Sequence, residues 1–294
     1  MKLLVIGANG QLGWALGEKG KGGDFDMEHV DLPDFNITDQ ENVSAQVEKS
    51  MPDLVINASA YTAVDKAESE SELAFAVNEK GPAYLADACA AHDIPMIHVS
   101  TDYVFDGEKK TPYLESDPVS PIGVYGKSKA AGDDAIRNKL ASHIIIRTAW
   151  LYGTHGQKNF VKTMLRLGGE HEALRVVADQ HGCPTYAADL AEAILTISHQ
   201  ILDGLKGRWG TYHYCGGGST SWHGFAEEIF SIANTRVSLK VRHVEPVTTA
   251  DYPTPTKRPA NSVLDCSLIQ QNFGVETSPW KESLGEMLGI VLAD

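Results

Sequence analysis

The stretch Lys2-Leu-Leu-Val-Ile-Gly-Ala-Asn-Gly-Gln-Leu-Gly13 decides how this chain folds. Lys2 to Ile6 is a short apolar run of strand length, glycines follow at 7, 10 and 13, and a helix-compatible segment runs from Trp14 to Lys19. The order is strand, tight turn, helix. Glycine at these places lets the backbone turn sharply, approach a pyrophosphate and press the helix onto the strand, and the phosphates then meet free amides at the helix N-terminus. The spacing is G-x-x-G-x-x-G, where the usual dinucleotide fingerprint is G-x-G-x-x-G. We expect Gly7, Gly10, Gln11, Leu12 and Gly13 to hold a dinucleotide.

Working outward, the same alternation of strand and helix continues. Glu28-His-Val-Asp31 reads as the second strand and puts Asp31 18 residues after Gly13, where a carboxylate accepts from an adenine ribose hydroxyl. No Lys or Arg lies between Asp31 and Glu48 to pair with a 2′-phosphate, so the expected cofactor is NADH or NADPH with a lean to NADH. Asn36 and Ile37 are placed with Asp31 at the cofactor. Thr38-Asp-Gln-Glu41 has the spacing of a capping box opening a helix to about Lys49. Leu54 to Asn57 is a third buried strand, and the residues after it, with Ala60, Tyr61 and Thr62, line the crevice at its carboxyl end. A long helical pattern spans about Glu70 to His92; its acidic start at Glu68, Glu70 and Glu72 suits a helix N-terminus and reads as solvated. Met96 to Ser100 and His143 to Arg147 are the fourth and fifth strands. Such alternation predicts an α/β fold, a Rossmann-like doubly wound parallel sheet.

Between those last strands, Pro95 to Lys129 runs from strand through polar loop into a helix expected from about Val124 to Lys139. Tyr125 and Lys129 then share a face four residues apart. A fixed cation beside a phenol favours the phenolate and lowers a pKa that is ordinarily about 10, which suits proton transfer. Ser100 and Thr101 end the preceding strand and can add a hydroxyl.

Composition narrows the function. The chain has 294 residues, net charge −14, and hydrophobic and charged fractions of 43% and 22%, those of an ordinary soluble protein. The acidic balance argues against a nucleic-acid partner. No apolar run approaches the roughly 20 residues of a membrane span, and the early glycines do not suit a signal peptide, so a cytoplasmic location is expected. Cys89, Cys183, Cys215 and Cys266 are far apart and read as reduced thiols, and no metal site is expected.

Beyond Trp150 the rhythm loosens. Asn159–Leu167, Ala187–Leu202, Trp222–Asn234 and Pro279–Leu288 read as helices, and Leu174–Ala178, Thr211–Tyr214 and the alternating Val237–Val244 as strands. Gly216-Gly217-Gly218 reads as a loop into a capped helix. Residues 1–150 are expected to form a dinucleotide-binding domain, and 151–294 mainly a smaller α/β substrate domain, with some elements returning to the first.

The glycine turn, Ser100-Thr-Asp-Tyr-Val-Phe105 and Tyr125-x-x-x-Lys129, in that order, resemble the extended short-chain dehydrogenase/reductases. Asn57-Ala-Ser-Ala-Tyr-Thr-Ala-Val-Asp65-Lys-Ala-Glu68, Arg147-Thr-Ala-Trp-Leu-Tyr152 and Tyr252-Pro-Thr-Pro-Thr-Lys-Arg258-Pro-Ala-Asn261-Ser resemble, within them, the dTDP-4-dehydrorhamnose reductase family over nearly the whole chain. The resemblance implies a hydride passed from the nicotinamide to C4 of a dTDP-4-keto sugar, in dTDP-rhamnose biosynthesis, with Tyr125 as proton donor. Lys129 would bind the nicotinamide ribose, and Thr101 would hold the reacting oxygen or the phenol. Trp150 and Asp102 would contact the sugar, with Asn159, the loop Gln180–Thr185 and Arg258 as further contacts to the sugar and its dTDP. Some members dimerise through magnesium held by glutamates; Ala15 stands where one of these would be, so no metal bridge and a monomer or weak homodimer are expected. Two alternatives are another nucleotide-sugar reductase or epimerase, and a non-catalytic cofactor-binding regulatory subunit. Tyr103 stands where dehydratases of this scaffold carry Glu, which disfavours dehydration.

Overall fold

The apolar runs read above assemble as one parallel sheet in the computed structural model, which describes residues 1–156, 158–205 and 207–293. Its strands are β1 (Lys2–Ile6), β2 (Asp26–Val30), β3 (Leu54–Asn57), β4 (Met96–Thr101), β5 (His143–Thr148) and a last strand, Gly210–His213. Their order is β2-β1-β3-β4-β5 and then Gly210–His213, every neighbouring pair parallel. After β2 the chain crosses to the other side of β1, so the strand order reverses between β1 and β3. A crevice opens at that reversal, beyond the carboxyl ends of the strands.

Near-continuous apolar strands follow from burial on both faces. Leu3, Val5, Leu54, Ile56, Ile97, Ile144 and Ile146 point to one face, against the helices Gln11–Gly20 and Ala187–Leu202. Leu4, Ile6, Val55, Met96 and Ile145 point to the other, against Gln40–Ser50, Gly81–Ala91 and Ile136 of the helix Val124–Lys139. Three elements from beyond residue 151 thus join this layer: Ala187–Leu202, the strand Gly210–His213 and the helix Ser267–Phe273 through Ile269 and Phe273. A separate apolar cluster holds the helices Phe160–Glu170, Trp222–Ala233 and Trp280–Val291 around Phe225, and beside it Ala173–Val177 pairs in parallel with His243–Val247. Among the described residues no helix is long and apolar enough to cross a membrane.

Several expectations change. Thr38 does not cap the second helix: Asp39 does, its carboxylate accepting from the Glu41 and Asn42 amides, because the helix starts one residue later at Gln40. Val237 to Val244 is not a strand. The amides of Lys240 and Val241 both meet the Gly168 carbonyl, which ties this segment to the end of a helix, and pairing begins only at His243. The helix expected over 70–92 is wound continuously but not uniformly, with Ser71–Phe75, a π turn at Ala76–Lys80, and Gly81–Ala91. Pro82 is the cause: it has no N–H to give the Asn78 carbonyl and would clash with it in an α-helix. Glu68 and Glu70 are exposed, as expected, and each also holds a hydrogen bond. Glu68 accepts from the Val124 amide at 2.9 Å, fixing the start of the Tyr125 helix, and Glu70 takes the Tyr61 hydroxyl.

The π turn locks the Tyr125 helix in place. Asn78, buried, accepts from the Tyr61 amide at 2.8 Å and donates to Ser128 Oγ at 3.0 Å. Its freed carbonyl lies 2.0 Å from where a Cβ on Gly132 would sit, so helix and turn touch only because residue 132 is glycine. Gly132→Ala should therefore destabilise the protein by about 1–3 kcal/mol of overpacking, even against the roughly 1 kcal/mol that alanine ordinarily gains in a helix. A thermal melt checks this; an unchanged midpoint would mean the helix is free to slide.

Candidate functional site

A cavity of about 810 Å³ lies at the carboxyl ends of the central strands. The glycine turn forms one wall. Gly7 sits at φ +85°, open to glycine alone without strain, and the space where a Gly13 Cβ would stand is filled by the Gly7 carbonyl oxygen at 2.2 Å. The helix from Gln11 begins with no side-chain cap, which leaves its first amides free for an anion. Asp31 takes the Asn9 amide at 2.8 Å on one oxygen and the Leu32 amide at 2.8 Å on the other, so its carboxylate is fixed at the cavity edge with lone pairs to spare.

Most of the expected site residues meet here. Gly7, Gly10, Gln11, Leu12, Asp31, Asn36, Ile37, Ala60, Tyr61, Thr62, Thr101, Asp102, Tyr125, Lys129 and Trp150 all line the cavity. Three do not. Gly13 packs beneath the turn. Asn159 caps the helix Phe160–Glu170 and donates to Gln11 Oε1 and the Gly153 carbonyl, each at 2.8 Å. Arg258 pairs with Asp65 at 2.7 Å and donates to the Tyr103 hydroxyl at 3.1 Å. Gln180, in the loop expected to contact the sugar, donates to Thr249.

The chemistry gathers at the end of β4. The Thr101 hydroxyl donates to Asp102 Oδ1 at 2.9 Å and accepts the Tyr103 amide. The one proton of that hydroxyl is thus held by Asp102. Burial pushes the Tyr125 phenol above its ordinary range, with the neighbouring Thr101 hydroxyl opposing. Burial likewise raises the Asp102 carboxyl to about 6, with Ser262 and Thr101 nearby opposing, and Asp102 Oδ2 has no hydrogen-bond partner.

Lys129 is where the sequence reading needs correcting. The ammonium was expected to lie close to the phenol and hold its pKa down. In the structure Nζ donates to the Val99 carbonyl at 2.7 Å and lies 3.1 Å from His98 Nε2, and the Tyr125 phenol is raised rather than lowered. Nearly complete burial brings the Lys129 ammonium down to about 8, with Asp133 opposing. Helical spacing sets a shared face but not where a long, flexible chain ends. His98 is itself buried and held far below the usual imidazole range, by desolvation first and by Lys129 second.

Other contributors carried no local signal. Trp222 stacks on Trp150, ring centroids 3.5 Å apart and 7° from parallel, and lines the cavity with Lys158. Trp150 sits at φ +47°, a strained place for a bulky residue. The cysteines were distant in sequence, yet Cys215 and Cys266 lie 3.6 Å apart at sulfur, as free thiols.

Comparison with known proteins agrees with this geometry. Residues 1–292 match the family model described as the RmlD substrate binding domain. The chain is similar to the dTDP-4-dehydrorhamnose reductases of Sinorhizobium fredii, 41% identical with 100% of this chain and 99% of the relative covered, and of Aggregatibacter actinomycetemcomitans, 44% identical with 96% and 97% covered. Among solved structures it resembles the Bacillus anthracis dTDP-4-dehydrorhamnose reductase in complex with NADP, at TM-score 0.91 and 38% identity over 98% and 99% of the two chains. The Clostridium acetobutylicum dTDP-4-dehydrorhamnose reductase superposes at TM-score 0.92, with 40% identity over 99% of each chain.

The raised Asp102 carboxyl makes a prediction about stability. Its folded pKa of about 6 exceeds the ordinary 3.8, so between those values the folded state binds more protons than the unfolded and stability falls as pH rises. Above about pH 6 the buried carboxylate is a constant cost. Asp102→Asn should thus be more stable than wild type at neutral pH by about 1–3 kcal/mol, with the gap closing towards pH 4. Denaturant titrations at the two pH values check it, and a gap that widens in acid would refute it.

Proposed function

The chain belongs to the RmlD substrate binding domain family, that of the dTDP-4-dehydrorhamnose reductases, and on that premise we propose that it reduces the C4 keto group of dTDP-4-dehydro-L-rhamnose to dTDP-L-rhamnose with NAD(P)H. The observation that carries this reading is the grouping of Tyr125, Thr101 and Asp102, the last two hydrogen-bonded at 2.9 Å, buried in the wall of the cavity that the glycine turn also lines. The residues present fit a dinucleotide: the uncapped helix start suits the pyrophosphate, and Asp31 suits the adenine ribose. When bound, the nicotinamide supplies the hydride.

The chain's own groups do the rest. As negative charge grows on the sugar oxygen, Tyr125 donates its proton there, because a buried phenol is a protonated donor aimed at a site from which water is excluded. Thr101, its hydroxyl fixed by Asp102, lies with the phenol in the cavity wall and positions the reacting groups. Lys129 turns from Val99 to hold the nicotinamide ribose. Asp102, with an oxygen free, accepts from a hydroxyl of the deoxysugar, and the flat Trp150 ring, backed by Trp222, packs on it. Asn159 and Arg258 act from the rim, the first by fixing Gln11 and the second by holding Asp65 and Tyr103 in place. Residues 1–150 serve mainly the dinucleotide and 151–294 mainly the sugar nucleotide. The enzyme works in the cytoplasm as a monomer or weak homodimer and prefers NADH.

Tyr125→Phe tests the reading. It should bind dinucleotide as wild type does and lose turnover at least about 100-fold, followed as the fading near-ultraviolet absorbance of the reduced nicotinamide on adding dTDP-4-dehydro-L-rhamnose. Wild type that binds cofactor without oxidising it would favour a regulatory subunit instead. In the same assay Asp31→Ala should shrink the NADH preference, and a wild type several times faster with NADPH would overturn the role given to Asp31.

A further inference from the structure

Behind Lys129 lie two polar residues, Asn57 and His98, that the proposed chemistry does not use. Asn57 ends β3, His98 lies beside it in β4, and Lys129 reaches in from the helix, all three at most 1% exposed. Asn57 Oδ1 accepts from the Ser59 amide at 3.1 Å and from the Ser59 hydroxyl at 2.7 Å. The backbone amide can only donate, so it fixes which end of the Asn57 side chain is oxygen. The Asn57 NH₂ therefore points at His98 Nδ1, 3.0 Å away, and that nitrogen must accept. A neutral imidazole accepting at Nδ1 carries its proton on Nε2. His98 Nε2 in turn faces Lys129 Nζ at 3.1 Å, and an ammonium offers no lone pair to accept that proton. A neutral amine accepts it, and still donates to the Val99 carbonyl.

We propose that His98 is a positioning residue for this site: held by Asn57 as the Nε2–H tautomer, it offers that proton to Lys129 and so favours the neutral amine over the ammonium while the cavity is empty. The other charged or titratable groups around Lys129 leave room for this. Asp133, one turn on in the same helix, favours the ammonium, but its carboxylate is shared with Arg147 of β5 at 3.4 Å and Arg137 at 3.7 Å. Tyr125, one turn back, is a phenol that burial keeps protonated. Burial also lowers the Lys129 pKa, in the same direction. The assignment of the tautomer stands on hydrogen bonding alone, whereas its use in turnover rests on the reductase reading above.

Nitrogen NMR of the histidine rings in the ligand-free full chain reads the tautomer directly. The expected result is a neutral His98 protonated on Nε2, with the Lys129 side chain titrating about two units below an ordinary lysine. A His98 proton on Nδ1, or a Lys129 that stays charged to an ordinary lysine's pH, overturns the proposal. Asn57→Asp supplies the second measurement. It keeps the Ser59 contacts but puts an acceptor opposite Nδ1, so the tautomer reverses, Nε2 becomes an acceptor, and the ammonium is favoured. The Lys129 midpoint should rise by about one unit or more, and the high-pH loss of turnover should move up with it, a gain of about fivefold or more one unit above the wild-type midpoint. An unmoved midpoint in a folded variant would also overturn the proposal. Should that variant not fold, the wild-type tautomer still decides. Failure of the reductase reading shows separately, as absent turnover with the Nε2–H tautomer present.

Discussion

Burial of polar side chains at the carboxyl ends of β3 and β4 is the constraint on which the rest of this site depends. Asn57, His98, Thr101, Asp102 and Lys129 sit among apolar strands covered on both faces by helices, where each unsatisfied polar atom costs on the order of 1–3 kcal/mol. Most of their polar atoms are therefore paired, with one another or with nearby groups, and Asp102 Oδ2 is the exception among them. That requirement links residues from two strands and a helix into fixed hydrogen bonds, so the catalytic groups arrive already oriented. It also explains the direction of each shift: burial disfavours charge, which raises a phenol and a carboxyl and lowers an ammonium and an imidazole.

The second half of the chain completes this enclosure. Ala187–Leu202 covers the sheet face that carries the glycine-turn helix, and Gly210–His213 extends the sheet beyond β5. Trp222 then brings a large flat surface onto Trp150, whose positive φ is held by packing: the ring fills the space over Gly182, where a Cβ would meet it at 2.4 Å. Strain at Trp150 is tolerated because glycine on one side and a stacked tryptophan on the other leave the ring nowhere else to go.

What the sequence made legible was periodic or local. Lys2–Ile6, Leu54–Asn57 and Val124–Lys139 carried their bounds in their pattern, because buried strands and a long helix are written in consecutive residues. The glycine turn and Tyr125 likewise announced a cavity that now holds them. The register of polar partners was not legible. That Glu68 caps the helix at Val124, that Arg258 meets Asp65, or that Lys129 turns to His98 depends on approaches between segments tens to nearly two hundred residues apart, and no spacing rule reaches that far. Val237–Val244 misled for a related reason: alternation shows which side chains are buried, while pairing partners decide whether the backbone is a strand.

A phenol raised by burial can look like a weakness in an acid-base group, since it moves the group further from neutral pH. For a reduction the sense is reversed. The alkoxide formed when hydride reaches a ketone is more basic than a phenolate, so the step needs a group that is protonated at the start and gives its proton as the charge appears. Burial guarantees the first condition, and the Thr101 hydroxyl in the same cavity wall is itself fixed by Asp102. The second condition needs the phenolate to become tolerable at the moment of transfer. A lysine whose charge is disfavoured in the empty site and favoured when the cavity fills would supply that help once the reactants are in place. Phenol and lysine are then two halves of one arrangement, in each of which burial disfavours charge until the reaction makes it useful.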